Sequence, residues 1–338
     1  MKKVPVKQAV GMPLCHDITA MVDGFKGAAF RRGHVIREED IPRLLDLGKR
    51  TVFIWEEHAG ELHEEDCARR LAAMTPVDGA HYTEPSEGKV LLIADQAGML
   101  RVNTGLLEQI NSIGDITIAT LPDHYPVQPG DRLASMRIVP LVTKETQILE
   151  AEALCADTPL LSLLPYKHRT AGVIITGSEV YTGRIKDKFE PVIRQKLAAY
   201  PCDILGVTFC DDDLNMIVSA AQAFLEQGAD FLIFTGGMSV DPDDLTPTAI
   251  SQLGADLVSY GLPSQPGNMT LVAQMGTTAI LGVPGAAIHR PITLLDVLLP
   301  QIFAGVPFTK EELIRLGDGG LCQLCPQCHF PNCTFGRY

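Results

Sequence analysis

Long apolar runs are missing from this chain of 338 residues. The most apolar stretches, LLSLLP and TAILGVPGAA, fall well short of the roughly 18 to 20 residues that span a bilayer, so no membrane is expected as a partner. The opening MKKVPVKQAVGMPL has two lysines but no continuous apolar core ending in a small-residue cleavage site. It does not read as a signal peptide, and a cytoplasmic location is the expectation. Basic runs are equally scarce. With 28 Lys and Arg against 41 Asp and Glu, the formal net charge is −13, and nothing in the chain is suited to neutralise a phosphate backbone; no nucleic-acid partner is expected. A small anion would have to be held by local devices such as helix N-termini and glycine loops, because the overall field repels it. Also absent are a nucleophile elbow, a Walker loop, a dinucleotide fingerprint and, outside the C-terminal tail, any histidine pair at metal-ligand spacing. His58 and His63 read as solvated members of a charged helix.

What is present suggests two domains and an appendage, since the length exceeds what one compact core usually holds. Residues 1–80 and 81–165 read as two α+β regions. In the first, a helix from Glu38 carries Ile41, Leu44, Leu45 and Leu47 on one face and stops at Gly48; Thr51 to Trp55 is strand-like, and Glu61 to Met74 has helical spacing. The turn formers of Thr75 to Gly88 mark an internal boundary. Strands at Lys89 to Ala94 and Ile116 to Thr120 flank a helix near Thr104 to Ile113. No chemistry is visible in this half.

Residues 166–305 alternate buried strands with amphipathic helices. AGVIIT, Asp203 to Cys210, Phe231 to Phe234 and Thr277 to Val283 are strands; Phe189, Val192, Ile193 and Leu197 mark one helix face, and Ile217, Ala220, Ala221 and Phe224 another. A last helix is predicted from about Ala287 to Phe303. The pattern implies an α/β domain with a mostly parallel sheet covered on both faces, a three-layer αβα arrangement. A ligand belongs at the carboxyl ends of such strands.

Three glycine loops lie there: Thr176-Gly177-Ser178-Glu179, extending to Asp187; Thr235-Gly236-Gly237-Met238-Ser239, extending to Asp244; and Gly282-Val283-Pro284-Gly285. Glycines let backbone N–H groups approach a ligand, and hydroxyls and carboxylates stand beside them. In this order the set TGSEV, TGGMSVDPDD and LGVPG resembles the molybdopterin-binding domain of molybdopterin molybdenumtransferases and adenylyltransferases. VPVKQAVGMPLCHDIT and GHVIREEDIPRLLDLGK are similar to the N-terminal part of the molybdenumtransferases.

The resemblance implies molybdopterin or its adenylate as ligand, held by Thr176, Gly177, Ser178, Thr235, Gly236, Gly237, Ser239, Pro284 and Gly285. It implies Glu179, Asp187 and Asp244 as catalytic carboxylates, suited to Mg²⁺ or to proton transfer near molybdate. A helix cap is the alternative reading of Asp244. It further implies a homodimer. The chain departs from that pattern where Asp241-Pro242 replaces a glycine, and where Gln265-Pro266-Gly267-Asn268 stands for Lys-Pro-Gly-Lys. Two missing lysines remove charge-assisted contacts of about 1.5 to 3 kcal/mol each, which bears on molybdenum insertion more than on pterin binding. The readings are thus a molybdenumtransferase-like enzyme, or a non-catalytic cofactor carrier or sensor that docks a molybdoenzyme client. Nucleotide hydrolysis, as in the pyridine-nucleotide amidohydrolases of this fold, has no residue in its favour.

Residues 306–338 form a linker and a Cys-rich tail. Cys322, Cys325, Cys328 and Cys333 have the spacing C-x2-C-x2-C-x4-C, which suits zinc or a cubane iron–sulfur cluster equally, with His329 able to replace one thiolate. The glycines before it read as a hinge to a separable appendage. The five other cysteines read as reduced and partly buried.

Overall fold

The computed structural model describes residues 1–337 apart from 23, 24, 55 and 57, and the side chains of Met21, Val22, Phe25 and Lys26 also fall outside the description. The chain divides into two compact units, one of residues 1–93, 103–121 and 132–161, the other of 94–102, 122–131 and 162–338. Among the described residues no helix is long and apolar enough to cross a membrane.

In the first unit, Lys89–Ala94 and Ile116–Thr120 are strands as expected, in a four-stranded sheet with Ala80–Tyr82 at one edge and Arg132–Ile138 between them. The turn formers of 75–88 thus belong to a hairpin, in which Ser86 N–H donates to the Lys89 carbonyl at 2.9 Å. The strand at Thr51–Ile54 is present, and Trp55 lies outside the described residues. Glu61 to Met74 is not helical throughout: Glu61–His63 pairs with Val142–Lys144, and the helix is Glu64–Ala73. His63 is not solvated. It is 1% exposed, its Nε2 lies 2.6 Å from the Cys15 carbonyl, and its Nδ1 accepts from Glu65 N–H at the helix start, so the imidazole is a structural cap.

The second unit holds a three-stranded sheet of Tyr125–Val127, Gly98–Val102 and Leu161–Pro165 and, beyond it, one six-stranded mixed sheet with its helices. Its elements in order are β1 (Arg169–Thr176), α1 (Ser178–Tyr181), α2 (Phe189–Leu197), β2 (Cys202–Cys210), α3 (Leu214–Glu226), β3 (Phe231–Thr235), α4 (Thr246–Gln252), β4 (Asp256–Tyr260), β5 (Leu271–Met275), β6 (Thr278–Val283), α5 (Ala286–His289), α6 (Leu294–Ala304) and α7 (Lys310–Arg315). Strand order is β2-β1-β3-β6-β5-β4, with the first four strands parallel and β5 antiparallel to both of its neighbours, β6 and β4.

The two-residue period of the strands sorts their side chains into two cores. Val173, Ile175, Phe231, Ile233 and Leu281 pack with Ile193 and Leu197 of α2 and with Leu298 and Phe303 of α6. Ile174, Leu232, Phe234 and Ile280 pack with Ile217, Ala221 and Phe224 of α3 and with Ile250 of α4. Both faces need an apolar cover, and this is why the strands read as continuous hydrophobic runs. Gly172 makes room for one such cover: a Cβ there would stand 2.6 Å from the Phe224 ring.

The single helix predicted from Ala287 to Phe303 is broken. Pro291 lacks an N–H and biases Arg290 to extended backbone, and Arg290 has φ −128° and ψ 134°. Helix restarts at Leu294 with a capping box between Thr293 and Asp296, and Lys196 of α2 bonds the Asp296 carboxylate at 2.6 and 2.7 Å.

The tail is folded onto this unit rather than hinged away from it. Leu321 bridges Gln265, Gln265 N–H donates to the Gly320 carbonyl at 2.7 Å, and Cys322 N–H donates to the Gln265 carbonyl at 2.8 Å. Phe335 is 3% exposed within the same core as α6. Burying an aromatic side chain is worth about 1.5–3 kcal/mol, which adds to the backbone bonds at Gln265 in holding the tail. The aromatic Phe335, beyond the last cysteine, is the signal that a reading centred on thiols passed over.

Candidate functional site

Parallel register brings the three glycine loops to one edge of the sheet. Ile175 pairs with Thr235 and Thr235 with Val283, so the chain leaves β1, β3 and β6 side by side. The first two loops are in contact. Gly236 has φ +81°, and a Cβ there would meet the Thr176 carbonyl oxygen at 2.1 Å. Gly237, at φ +52°, has the Thr246 and Thr176 hydroxyls 3.0 and 3.1 Å from the position of a Cβ. Only glycine satisfies both the left-handed backbone and the contact. The Thr246 hydroxyl donates to the Gly236 carbonyl at 2.8 Å, which spends its proton, so at 3.1 Å it accepts from the Thr176 hydroxyl. Met238 fills the space left by Gly282, where a Cβ would lie 2.5 Å from its terminal methyl; this seats the second loop on β6.

Thr235 is 0% exposed, and its Oγ1 has no hydrogen-bond partner. Buried hydroxyls are normally satisfied, so this one marks a place where the fold leaves a polar atom open at the foot of the glycine loop. Ser239 and Gly285 are exposed, while Gly177, Gly236, Gly237 and Pro284 are half-buried.

The predicted carboxylates divide. Glu179 is exposed on α1. Asp244 is half-buried, accepts from Asp241 N–H at 3.2 Å, and does not cap α4, whose N-cap is Leu245. Asp187 accepts from the N–H groups of Phe189 and Glu190 at 2.9 and 2.8 Å, so its carboxylate is occupied in opening α2. The Ser178 hydroxyl, predicted to face ligand, donates to Asp211, and Ser178 N–H donates to Asp212 at 3.0 Å. The hydrogen bond from the Ser178 hydroxyl, with that from the Asp212 amide, holds the Asp211 carboxyl below its ordinary range. Asp211, Asp212 and Tyr260 are additions to the site. The run Asp211-Asp212-Asp213 after a strand was a signal, but of the three only Asp213 caps α3, through Met216 N–H. Tyr260 donates to the carbonyls of Met238 and Ser239 at 3.2 and 3.3 Å and so holds the second loop from β4. Burial, with the Asp244 charge beside it, pushes its phenol up.

Cys322 and Cys333 are half-buried and Cys325 and Cys328 exposed; the other five cysteines are free and, apart from half-buried Cys202, buried. Among the described residues no group of three or more His, Cys, Asp or Glu is arranged to hold a metal ion.

The class defined by fold and site is an α/β domain with hydroxyl- and glycine-bearing loops gathered at the carboxyl edge of a mixed sheet. Residues 172–303 match the family model described as "Probable molybdopterin binding domain", and residues 3–56 match a domain of unknown function. The match to that molybdopterin-binding family covers most of the six-stranded sheet and its helices. A molybdopterin molybdenumtransferase of Synechococcus elongatus is 26% identical over 185 residues, 52% of this chain and 42% of the relative. A CinA-like protein of Mycobacterium tuberculosis is 34% identical over 89 residues, 26% of this chain and 21% of the relative. The chain therefore spans about two fifths and one fifth of these proteins' lengths. A solved structure of the molybdopterin biosynthesis enzyme MoaB from Thermus thermophilus is 22% identical with a TM-score of 0.36, covering 42% of this chain and 99% of that one.

Proposed function

We propose that this chain binds molybdopterin or its adenylate at the carboxyl edge of the sheet and serves in molybdenum cofactor biosynthesis. The observation that carries the reading is the Thr176–Gly236–Gly237–Thr246 junction above the unpartnered Thr235 hydroxyl, inside the segment that matches the molybdopterin-binding family. Backbone amides freed by two left-handed glycines suit a phosphate, and two flanking core layers make the platform a rigid αβα one.

Within that reading, Asp244 acts on the chemical step of molybdenum insertion, and Glu179 with Asp211 supplies hard oxygen donors for Mg²⁺. Mg²⁺ is held by one or two carboxylates together with substrate phosphates, so a three-carboxylate cage is not required. The chain would work as a homodimer, on analogy with the molybdenumtransferases. Titration of the purified chain with molybdopterin and with its adenylate tests the binding claim; saturable binding of neither removes it. Asp244→Asn should lower insertion far more than affinity.

A carrier is the second reading. It is favoured by Gln265, which stands where a lysine was expected and whose backbone is engaged with the tail at Gly320 and Cys322. Pterin binding without any molybdate-dependent product selects it.

A further inference from the structure

The four cysteines of the tail line one cavity of about 130 Å³, together with Arg290 and apolar walls that include Ile292 and Phe330. A water-sized site needs roughly 10 to 15 Å³ on this measure, so the cavity the four cysteines share is several times larger than a single ion. A tetrahedral zinc–thiolate centre sets each sulfur about 2.3 Å from the metal, and therefore sulfurs roughly 3.8 Å from one another. Among the described residues no three donors are grouped to hold one ion, while all four cysteines line the same cavity. A shared cavity larger than one ion suits a polynuclear core.

The backbone is shaped for thiolate. Leu324 adopts φ +52°, rare for a side chain branched beyond Cβ, and this turns its N–H onto the Cys322 sulfur at 3.5 Å. Amide hydrogen bonds to sulfur stabilise ligating thiolates and tune cluster potentials. The frame is anchored at both ends, by the Cys322 amide on Gln265 and by Arg337 Nε donating to the Cys333 carbonyl at 2.5 Å. Cys325 and Cys328 form its solvent side.

We propose that Cys322, Cys325, Cys328 and Cys333 hold a cubane iron–sulfur cluster in this cavity. Assembly from two ferrous ions, two ferric ions and four sulfides displaces four thiol protons and leaves a net −2 centre, for which Arg290 is the cation at the wall. Arg290 follows α5, whose N-cap is Gly285, so this wall residue lies roughly 8 Å along the chain from the third glycine loop. The proposal does not rest on the ligand bound at those loops.

Anaerobic reconstitution of the full chain with mixed-valence iron and sulfide tests it without any pterin. The expected product is brown, with about four iron and four sulfide per chain and a charge-transfer band that bleaches in air. Cys325→Ser and Cys328→Ser, both at exposed positions, should each lower bound iron several-fold while far-UV circular dichroism stays unchanged. One zinc per chain in a colourless anaerobic preparation overturns the cluster, as does iron below about one per chain with four titratable thiols. Iron retained in the double serine variant overturns the ligand assignment.

Discussion

The two edges of one sheet hold their carboxylates in opposite ways. At the amino edge, Asp230 accepts from Thr170 N–H at 2.7 Å, from the Thr170 hydroxyl at 2.9 Å and from the Arg169 guanidinium at 3.3 Å. Burial pushes its carboxyl up, but the bonds from Thr170 and Arg169 outweigh it and hold the group below its ordinary range. At the carboxyl edge, Glu179 and Asp244 meet no lysine or arginine among the described residues, and the Thr235 hydroxyl has no partner. The same parallel strands feed both edges, so backbone geometry alone does not account for the difference. Open polar atoms are found at both edges, since the buried Arg169 Nε also has no partner among the described residues; what separates the carboxyl edge is that its carboxylates meet no cation there, which leaves them for a ligand.

The sharpest break of this comparison is a matched pair of glycine substitutions. Gly237→Val forces a β-branched residue to positive φ against two hydroxyls, and molybdopterin affinity should fall at least about 100-fold. Gly228→Val, on the amino side of β3, has φ +81° and nothing within 4 Å of its Cβ. It carries similar backbone strain, about 1–2 kcal/mol, and should leave affinity intact. Equal losses in a binding titration would mean that the loops act only through stability.

Next in size, Asp230→Asn should destabilise the unit by about 1–2 kcal/mol at neutral pH with no change in affinity. The sign with pH follows from the depressed folded pKa: the wild-type advantage is present above the unfolded value of about 3.9 and is lost as pH falls through the folded value. Chemical denaturation at pH 7 and below pH 4 measures it. An advantage that grows on acidification contradicts the assignment.

Much of the carboxyl edge was legible because its signals are local. TGG after FLIF, TGS after VII and PG after LGV are punctuation at strand ends, and all three fall where alternation placed them. What was not legible is tertiary. β4, with the sequence DLVSY, is an exposed edge strand with no buried face to give it a period, so Tyr260 could not be placed beside Met238. Residues 94–102 and 122–131 cluster with the sheet unit though the sequence assigned them to the first half, because no local pattern encodes that association. Asp187 kept its expected position after the first loop, yet its two amide contacts are those of a helix opener. Pro291 was visible, and its restriction on Arg290 outweighed the apolar periodicity that ran across it.

A smaller effect is expected at Tyr260→Phe, which removes one hydroxyl shared between the Met238 and Ser239 carbonyls. The loss should be about 0.5–1.5 kcal/mol, read as a few-fold weaker pterin binding by a loosened second loop, with global stability nearly unchanged. Unaltered affinity would detach β4 from the site.

The smallest change tests the comparison most directly. Thr235→Val replaces the unpartnered hydroxyl by a methyl of similar size, in a position that is 0% exposed. If nothing ever bonds that hydroxyl, its removal relieves a desolvation penalty, and the free protein should gain up to about 1 kcal/mol in denaturant melts. If ligand completes it, affinity should fall by about five- to tenfold at the same time, the equivalent of one neutral hydrogen bond. The two readouts move in opposite directions only if the open polar atom belongs to the bound state. A gain in stability with unchanged affinity would make Thr235 a packing flaw. A loss of both would mean that the hydroxyl is satisfied in solution, and the contrast between the edges would then rest on the carboxylates alone.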